Sequence, residues 1–121
     1  MPKVLIVDDS AYARRVHRGI LERAGHEVIE VATGTGAIET CMLGQPDVVV
    51  LDLSMEDIGG IQVLQTLRAL NVNAPVIVVS ADVQRSTEQA VMAAGAARFL
   101  AKPANAEQLT SAIAQTVAGV R

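Results

Sequence analysis

Five polar side chains of this sequence end or directly follow segments with the pattern of buried β-strands: Asp8, Asp9, Asp52, Ser80 and Lys102. The segment before Asp52 is the clearest example, since Val48 to Leu51 is short, apolar and rich in β-branched residues. The carboxyl ends of parallel strands lie at one edge of a sheet. We therefore expect the acids and the hydroxyl to share one crevice, with the lysine at its rim.

Three carboxylates in one crevice disfavour one another's charged form, and a hard divalent cation relieves that repulsion. Mg²⁺ takes oxygen ligands and keeps several waters, and Mn²⁺ is an alternative. Asp9 and Asp52, with a backbone carbonyl from the loop after Asp52, match this ligand set, and Asp8 could act through water. The acids thus predict a magnesium site.

A metal beside Lys102 and Ser80 is suited to surround a phosphoryl group and to balance its charge. A carboxylate can attack phosphorus and form an acyl phosphate. Asp52 is the candidate nucleophile because it is the single acid at the expected centre of the crevice. The pattern predicts magnesium-dependent transfer of a phosphoryl group onto Asp52.

Each of these residues also has a structural interpretation when it is taken alone. Asp8 and Asp9 can cap the helix that follows them, Asp52 can end a strand in a turn, and Lys102-Pro103 is a common loop dipeptide. The combination at one sheet edge favours a functional site over these separate explanations.

Other polar residues are assigned no chemistry. Thr33-Gly34-Thr35-Gly36 lacks the lysine of a P-loop and is interpreted as a turn. His17 and His26 have no neighbours at metal-ligand spacing and are predicted to lie on the surface. Four arginines are interpreted as the solvated face of the first helix: Arg14, Arg15, Arg18 and Arg23.

Hydrophobic periodicity predicts alternating strands and helices. The predicted strands are Lys3–Val7, Glu27–Val31, Val48–Asp52, Val76–Ser80 and Arg98–Ala101. The predicted helices are 11–24 (apolar stripe Ala13, Val16, Ile20, Ala24), 37–43, one marked by Ile61, Leu64 and Leu67, 84–94, and one capped by Asn105 (stripe Leu109, Ile113, Val117, Val120). This order predicts an α/β fold: a flavodoxin-like, doubly wound, five-stranded parallel sheet of order 2-1-3-4-5 with five helices.

Composition narrows the functional class. The 121 residues predict one domain over 1–121, and 50% hydrophobic residues can form a substantial core. A net charge of −3 argues against direct nucleic-acid binding. Cys41 is the single cysteine and is interpreted as a small core residue, which suits a reducing cytoplasm. We expect neither a membrane-spanning segment nor a signal peptide.

Five short motifs occur in order along nearly the whole chain: Val4-Leu5-Ile6-Val7-Asp8-Asp9, Asp52-Leu53-Ser54-Met55 followed by Gly60, Ser80-Ala81, Gly95-Ala96, and Phe99-Leu100-Ala101-Lys102-Pro103. Each motif is weak alone, but together at these spacings they are highly specific. The chain resembles the receiver domain of bacterial response regulators, most closely the stand-alone chemotaxis type.

The resemblance implies a role for each matching residue of the crevice. Asp52 corresponds to the phosphoacceptor, which takes its phosphoryl group from a histidine kinase. Asp8 and Asp9 correspond to the acidic pair that holds Mg²⁺, with the backbone carbonyl of Ser54 as a further ligand. Lys102 corresponds to the lysine that contacts the phosphoryl group.

The resemblance also implies a switch. Ser80 corresponds to a hydroxyl that moves toward the phosphoryl group, and Phe99 to an aromatic side chain that turns inward in response. This movement would remodel the face formed by helix 4, strand 5 and helix 5, where a downstream protein or a second copy of the chain would bind. The protein would then be a phosphorylated switch in chemotaxis or other signal transduction, and not an enzyme with turnover.

Three residues depart from the family pattern. Glu56 stands where proline is usual, Gly59 where Asp or Asn is often found, and Ala104 where an aromatic residue often follows Lys-Pro. Glu56 and Gly59 are expected to make the loop more flexible and more acidic. Our hypothesis is that Glu56 raises the local cation concentration or contacts the cation through water.

Three other functions remain open at this point. An aspartyl-nucleophile phosphatase would carry a second acid two residues after Asp52, where this chain has Ser54. A cofactor binder of flavodoxin type would need a phosphate-binding loop after the first strand, where Asp8 and Asp9 would repel phosphate. A docking module that needs no phosphorylation would not require the five polar residues together.

Overall fold

The computed structural model describes residues 2–44, 46–55 and 57–119. Its five strands are β1 (Lys3–Val7), β2 (Glu27–Val31), β3 (Val48–Asp52), β4 (Val76–Ser80) and β5 (Arg98–Ala101). Its five helices are α1 (Ala11–Arg23), α2 (Gly34–Met42), α3 (Gly60–Ala69), α4 (Arg85–Ala93) and α5 (Ala106–Ala118). The strands form one parallel sheet in the order β2-β1-β3-β4-β5, which confirms the predicted fold.

Helices cover both faces of the sheet, and the alternation of side chains along each strand divides the core in two. Val49 and Leu51 of β3 pack with α2, α3 and α4, whereas Val48 and Val50 pack with α1 and α5. All five residues of β3 are buried, as its apolar run predicts. Asp52 is therefore the last residue of an internal strand, which has a neighbouring strand on each side.

Helix α2 begins earlier than predicted. The segment interpreted as a turn forms its first turn, because the Thr33 hydroxyl accepts a hydrogen bond from the Gly36 amide at 3.0 Å and caps the helix. The predicted bounds of α1 and α4 and the predicted end of α2 agree with the structure to within about one residue. Asn105 forms a capping box with Gln108, and Asn71 takes a left-handed conformation (φ 59°) after α3.

The buried face of α1 also differs from the predicted stripe. His17 and Leu21 are buried, whereas Val16 is 41% exposed. The prediction that His17 lies on the surface is therefore wrong. Helix orientation is decided by what packs best against the sheet, and the long aliphatic side chain of Leu21 lies fully inside the core against β1 and β3.

Two of the four arginines of α1 are bound and not simply solvated. Arg14 Nε lies 3.2 Å from Glu30 Oε1 of β2, and Arg18 pairs with the same carboxylate. Glu30 can bind both because β2 is the edge strand beside α1. Cys41 is buried as predicted, and burial raises the pKa of its thiol to about 11. The predicted core position Val120 and the hypothesis on Glu56 lie outside the described residues.

Within the described ranges, no helix combines the length and the apolar character needed to cross a lipid bilayer.

Candidate functional site

The carboxyl ends of β1, β3 and β4 bring the predicted polar residues to one edge of the sheet. Asp52 and Ser80 are the last residues of β3 and β4, and Asp8 directly follows β1. These three side chains are buried, whereas Asp9 is exposed. The strands adjoin in the order β1-β3-β4, so the parallel topology alone places these positions side by side.

Asp8, Asp9 and Asp52 each offer a carboxylate oxygen, and these oxygens lie within 4.8 Å of one another. A set made only of carboxylate oxygens suits a hard divalent cation such as Mg²⁺. Asp9 remains open to solvent, which leaves room for the water ligands that Mg²⁺ usually keeps. The donor set therefore fits a partly hydrated cation at the mouth of the crevice.

Lys102 provides the positive charge nearest to these acids. Its Nζ lies 3.1 Å from Asp8 Oδ2 and 3.3 Å from Asp52 Oδ1. Burial alone would favour the neutral amine, but hydrogen bonds and attraction to Asp8 and Asp52 outweigh it and raise the pKa of Lys102. The lysine is thus a fixed cation that contacts two of the three acids. Its peptide bond to Pro103 is cis.

The main chain on both sides of the crevice is held by side chains. The carboxylate of Asp8 accepts a hydrogen bond from the Ser10 amide at 2.9 Å, and Arg14 donates to the Asp8 carbonyl at 2.6 Å. On the other side, Ser80 Oγ accepts a bond from the Asp82 amide at 3.0 Å. Asp8 and Asp52 thus each accept from a backbone amide, that of Ser10 and that of Ser54, and each also contacts Lys102.

Ser54 and Phe99 are the other two residues to which the resemblance assigns a role. Ser54 is exposed in the loop after β3. Phe99, in β5, is half-buried and packs against the core cluster beneath α2, α3 and α4. The Phe99 side chain is thus partly in the core and partly accessible to solvent.

Burial raises the pKa of Asp52, and the nearby Asp8 carboxylate adds to this effect against the attraction of Lys102. A carboxyl whose pKa is higher in the folded state binds its proton more tightly there. Stability therefore falls as the pH rises through that pKa. The ionised carboxylate is thus a source of instability at neutral pH.

We expect Asp52→Asn to raise the free energy of unfolding by about 1 kcal/mol at neutral pH without divalent cations. The amide avoids the cost of a buried charge and the repulsion from Asp8, and its oxygen can still accept from Lys102. The gain should disappear at about pH 4, where free aspartic acid titrates. Urea unfolding at the two pH values measures it, and an Asp52→Asn protein that is less stable at neutral pH would contradict the electrostatic explanation.

Sequence reasoning missed several residues around the crevice. His17 lies close enough to Asp8 and Lys102 to be influenced by both charges, and burial lowers its pKa. Tyr12 and Val16 line an apolar groove beside Lys102 together with Pro103. Asp57, in the loop after β3, bonds to the first turn of α2. Among these residues, only Tyr12 stood out in the sequence, because it is one of just two aromatic residues.

The chain is similar to receiver domains of response regulators in sequence. The family model for the response regulator receiver domain matches residues 4–114. The chemotaxis protein CheY of Bacillus subtilis is 34% identical over 116 residues, which cover 95% of this chain and 97% of that protein. The transcriptional regulatory protein KdpE of Mycobacterium tuberculosis is 41% identical over 85% of this chain, but over only 45% of its own length.

Solved structures agree with the sequence comparison. The signal receiver domain of the putative LuxO repressor protein from Vibrio parahaemolyticus has a TM-score of 0.94 at 27% identity, covering 98% of this chain and 92% of that chain. The receiver domain of the Francisella response regulator 1452 has a TM-score of 0.94 at 26% identity, with complete coverage of both chains.

Proposed function

The chain belongs to the family of response regulator receiver domains of two-component signalling, and we propose that its Asp52 accepts a phosphoryl group from a histidine kinase in a Mg²⁺-dependent reaction. One observation carries the assignment: a buried carboxylate at the end of the central strand lies 3.3 Å from Lys102 and within 4.8 Å of two further acids. The receiver domain is taken to span residues 1–121.

The reaction is a displacement at phosphorus. An Asp52 oxygen forms a bond to phosphorus while the bond from phosphorus to the donor's imidazole nitrogen breaks. The imidazole keeps the electron pair and takes a proton from solvent. Lys102 lies beside the attacking carboxylate and can bind a phosphoryl oxygen as the group arrives.

A divalent cation would be held by Asp9, by Asp52 and by the backbone carbonyl of Ser54, with Asp8 acting through water. When bound, it neutralises charge on the phosphoryl oxygens. Mg²⁺ is the proposed ion and Mn²⁺ the alternative. This assignment is supported by the clustering of the carboxylates of Asp8, Asp9 and Asp52.

We infer that phosphorylation shifts a two-state equilibrium through Ser80 and Phe99. The Ser80 hydroxyl can donate to a phosphoryl oxygen, and its bond from the Asp82 amide ties that movement to the loop before α4. The half-buried Phe99 would turn inward in the same state. The face formed by α4, β5 and α5 would then bind a downstream protein or a second copy of the chain, in a reducing cytoplasm that suits the buried Cys41 thiol.

An intact-mass measurement tests the phosphoacceptor. The protein is incubated with a small acyl phosphate, with and without Mg²⁺, and we expect the mass of one phosphoryl group to be added only when Mg²⁺ is present. Asp52→Asn should abolish the adduct. Asp47→Asn is the matched control, because Asp47 is an exposed acid that precedes the same strand and bonds to the Lys3 amide.

Two outcomes would contradict the proposal. Sustained release of phosphate from the acyl phosphate, with no adduct that outlasts a turnover, would favour an aspartyl phosphatase. An adduct-free protein that nevertheless binds Mg²⁺ would favour a docking module that works without phosphorylation.

A further inference from the structure

The loop between β3 and α3 carries Ser54, the proposed source of a backbone ligand. Its sequence from Leu53 to Gly60 contains no proline and ends in two glycines. Among its described residues, the Leu53 carbonyl accepts hydrogen bonds from the amides of Met55 (3.1 Å) and Gly60 (3.2 Å), which close the base of the loop. The Ser54 amide also donates to the Asp52 carboxylate, and the far side of the loop is held through Asp57.

Asp57 provides a connection to a different part of the chain. One carboxylate oxygen accepts from the Gly34 amide at 2.9 Å, and the other accepts from the Thr35 amide at 3.0 Å and the Thr35 hydroxyl at 2.8 Å. These donors lower the pKa of Asp57 far below its usual range. Amides in the first turn of a helix lack partners within the helix and favour a negative group. The contact therefore stabilises both the Asp57 carboxylate and the start of α2.

Close packing accompanies these bonds. A β-carbon placed on Gly34 would lie 2.4 Å from Ile58 Cγ1 and 2.8 Å from Val63 Cγ2, so only glycine allows this approach. Gly34 is buried, and Ile58 is the residue after Asp57. The loop therefore touches α2 through apolar packing as well as through the carboxylate. We call the contact of Asp57 and Ile58 with Gly34 and Thr35 the loop clasp.

The first turn of α2 is itself tied to the acidic crevice. Thr33 caps the helix, and two residues earlier the carbonyl of Val31 accepts a hydrogen bond from the Asp8 amide at 3.3 Å. The connection runs from the end of β1, through the end of β2 and the start of α2, to the loop after β3. The connection therefore links the loop that carries Ser54 to the end of β1, where Asp8 and Asp9 lie.

We propose that Asp57 is a positioning residue for the cation: by binding the first turn of α2, it holds the loop so that the Ser54 carbonyl can complete the metal site. This inference rests on the proposed function. Asp57 is exposed and is not itself assigned as a ligand. Its proposed role is that of a residue that holds a metal ligand in position without binding the metal. Loss of such a residue commonly weakens metal affinity by about 10- to 100-fold.

Calorimetric titration with MgCl₂ tests the proposal. We expect Asp57→Ala to raise the dissociation constant for Mg²⁺ about 10-fold. Thr35→Val removes one donor to the carboxylate without changing charge, and it should raise the constant by a smaller factor. Since both changes act on the same contact, the double variant should bind no more weakly than Asp57→Ala alone.

Glu39→Gln is the matched control, because Glu39 is an exposed acid on the same helix. It removes one negative charge and leaves the clasp intact, so its Mg²⁺ affinity should equal that of the wild type. Rates of phosphorylation by an acyl phosphate give a second readout. In Asp57→Ala the Mg²⁺ concentration for half-maximal rate should rise, while the rate at saturating Mg²⁺ should be retained.

The outcomes separate this inference from the proposed function. Equal Mg²⁺ affinities for the wild type and Asp57→Ala would overturn the positioning role, as would an equal loss in Glu39→Gln. A reduced melting temperature with unchanged affinity would assign Asp57 to stability alone. Failure of the wild type to bind Mg²⁺ at all would instead contradict the proposed metal site.

Discussion

Lys102→Met is expected to lower the free energy of unfolding by about 3 kcal/mol at neutral pH in the absence of divalent cations. Lys102 pairs with both Asp8 and Asp52, which are 2% and 7% exposed. Removing the ammonium leaves two buried carboxylates close together without their counter-ion. The free energy lost in this way exceeds the net stabilisation that the intact ion pair provides. Methionine keeps the volume of the side chain, so the effect reports the lost charge.

The loss of stability in Lys102→Met is expected to depend on pH and on added Mg²⁺. The pKa of Lys102 is raised, so the pair stabilises the fold throughout the range below the pKa of free lysine. The deficit of the variant should be largest near neutral pH and should shrink in acid, as Asp52 takes up a proton. Added Mg²⁺ should restore part of the stability, because the cation replaces the missing positive charge.

Urea unfolding at several pH values measures this effect, and Lys3→Met is the matched control. Lys3 pairs with Glu27 at 3.2 Å in an exposed pair, for which a loss of at most about 1 kcal/mol is expected. Equal losses for the two variants would contradict a special role of the crevice. Phosphorylation by an acyl phosphate should also be slowed in Lys102→Met and unaffected in Lys3→Met.

Gly60→Ala is expected to destabilise the protein by roughly 2 kcal/mol and to impair phosphorylation at the same time. A β-carbon on Gly60 would lie 2.6 Å from Leu53 Cδ2, 2.8 Å from Leu53 Cα and 3.3 Å from the Asp52 carbonyl. The leucine side chain could rotate away, but the Cα could yield only if the backbone next to Asp52 moved. A change in helix α3 would thus displace the proposed nucleophile.

Gly59→Ala is the matched control, because a β-carbon there meets nothing within 4 Å and the residue has a negative φ of −69°. Its stability should stay within about 0.5 kcal/mol of the wild type. Thermal unfolding and the rate of adduct formation measure both variants. If Gly60→Ala forms the adduct at the rate of the wild type, the backbone at Leu53 does not control the position of Asp52.

The start of helix α2 differs from its prediction from the sequence. Thr33-Gly34-Thr35-Gly36 is interpreted as a turn from its sequence, yet Gly34 to Gly36 form the first turn of α2 and Thr33 caps it. The Thr33 cap could have been recognised from its residue type. The acceptor for the Gly34 and Thr35 amides could not have been recognised, since Asp57 lies 23 and 22 residues from them in the chain.

The face of α1 is a similar case. Val16 and His17 are adjacent, and hydrophobicity alone chose Val16 for the core, but the helix buries His17 and leaves Val16 in the groove beside Lys102. A rotation of about 100°, the angle between adjacent helical residues, replaces Val16 by His17 and Ile20 by Leu21 at the buried positions. The choice was made by packing of Leu21 against the sheet, which no local pattern records.

The sequence by itself determined the order of strands and helices, the parallel sheet, and the edge at which Asp52 lies. It could do so because buried strands are continuous apolar runs and because the handedness of strand connections brings their carboxyl ends together. Only the tertiary structure decided that Lys102 contacts Asp8 across 94 residues of chain, that His17 is buried, and that Asp57 bonds to α2. These contacts depend on the distances between distant segments, and such distances are set only when the whole core has packed.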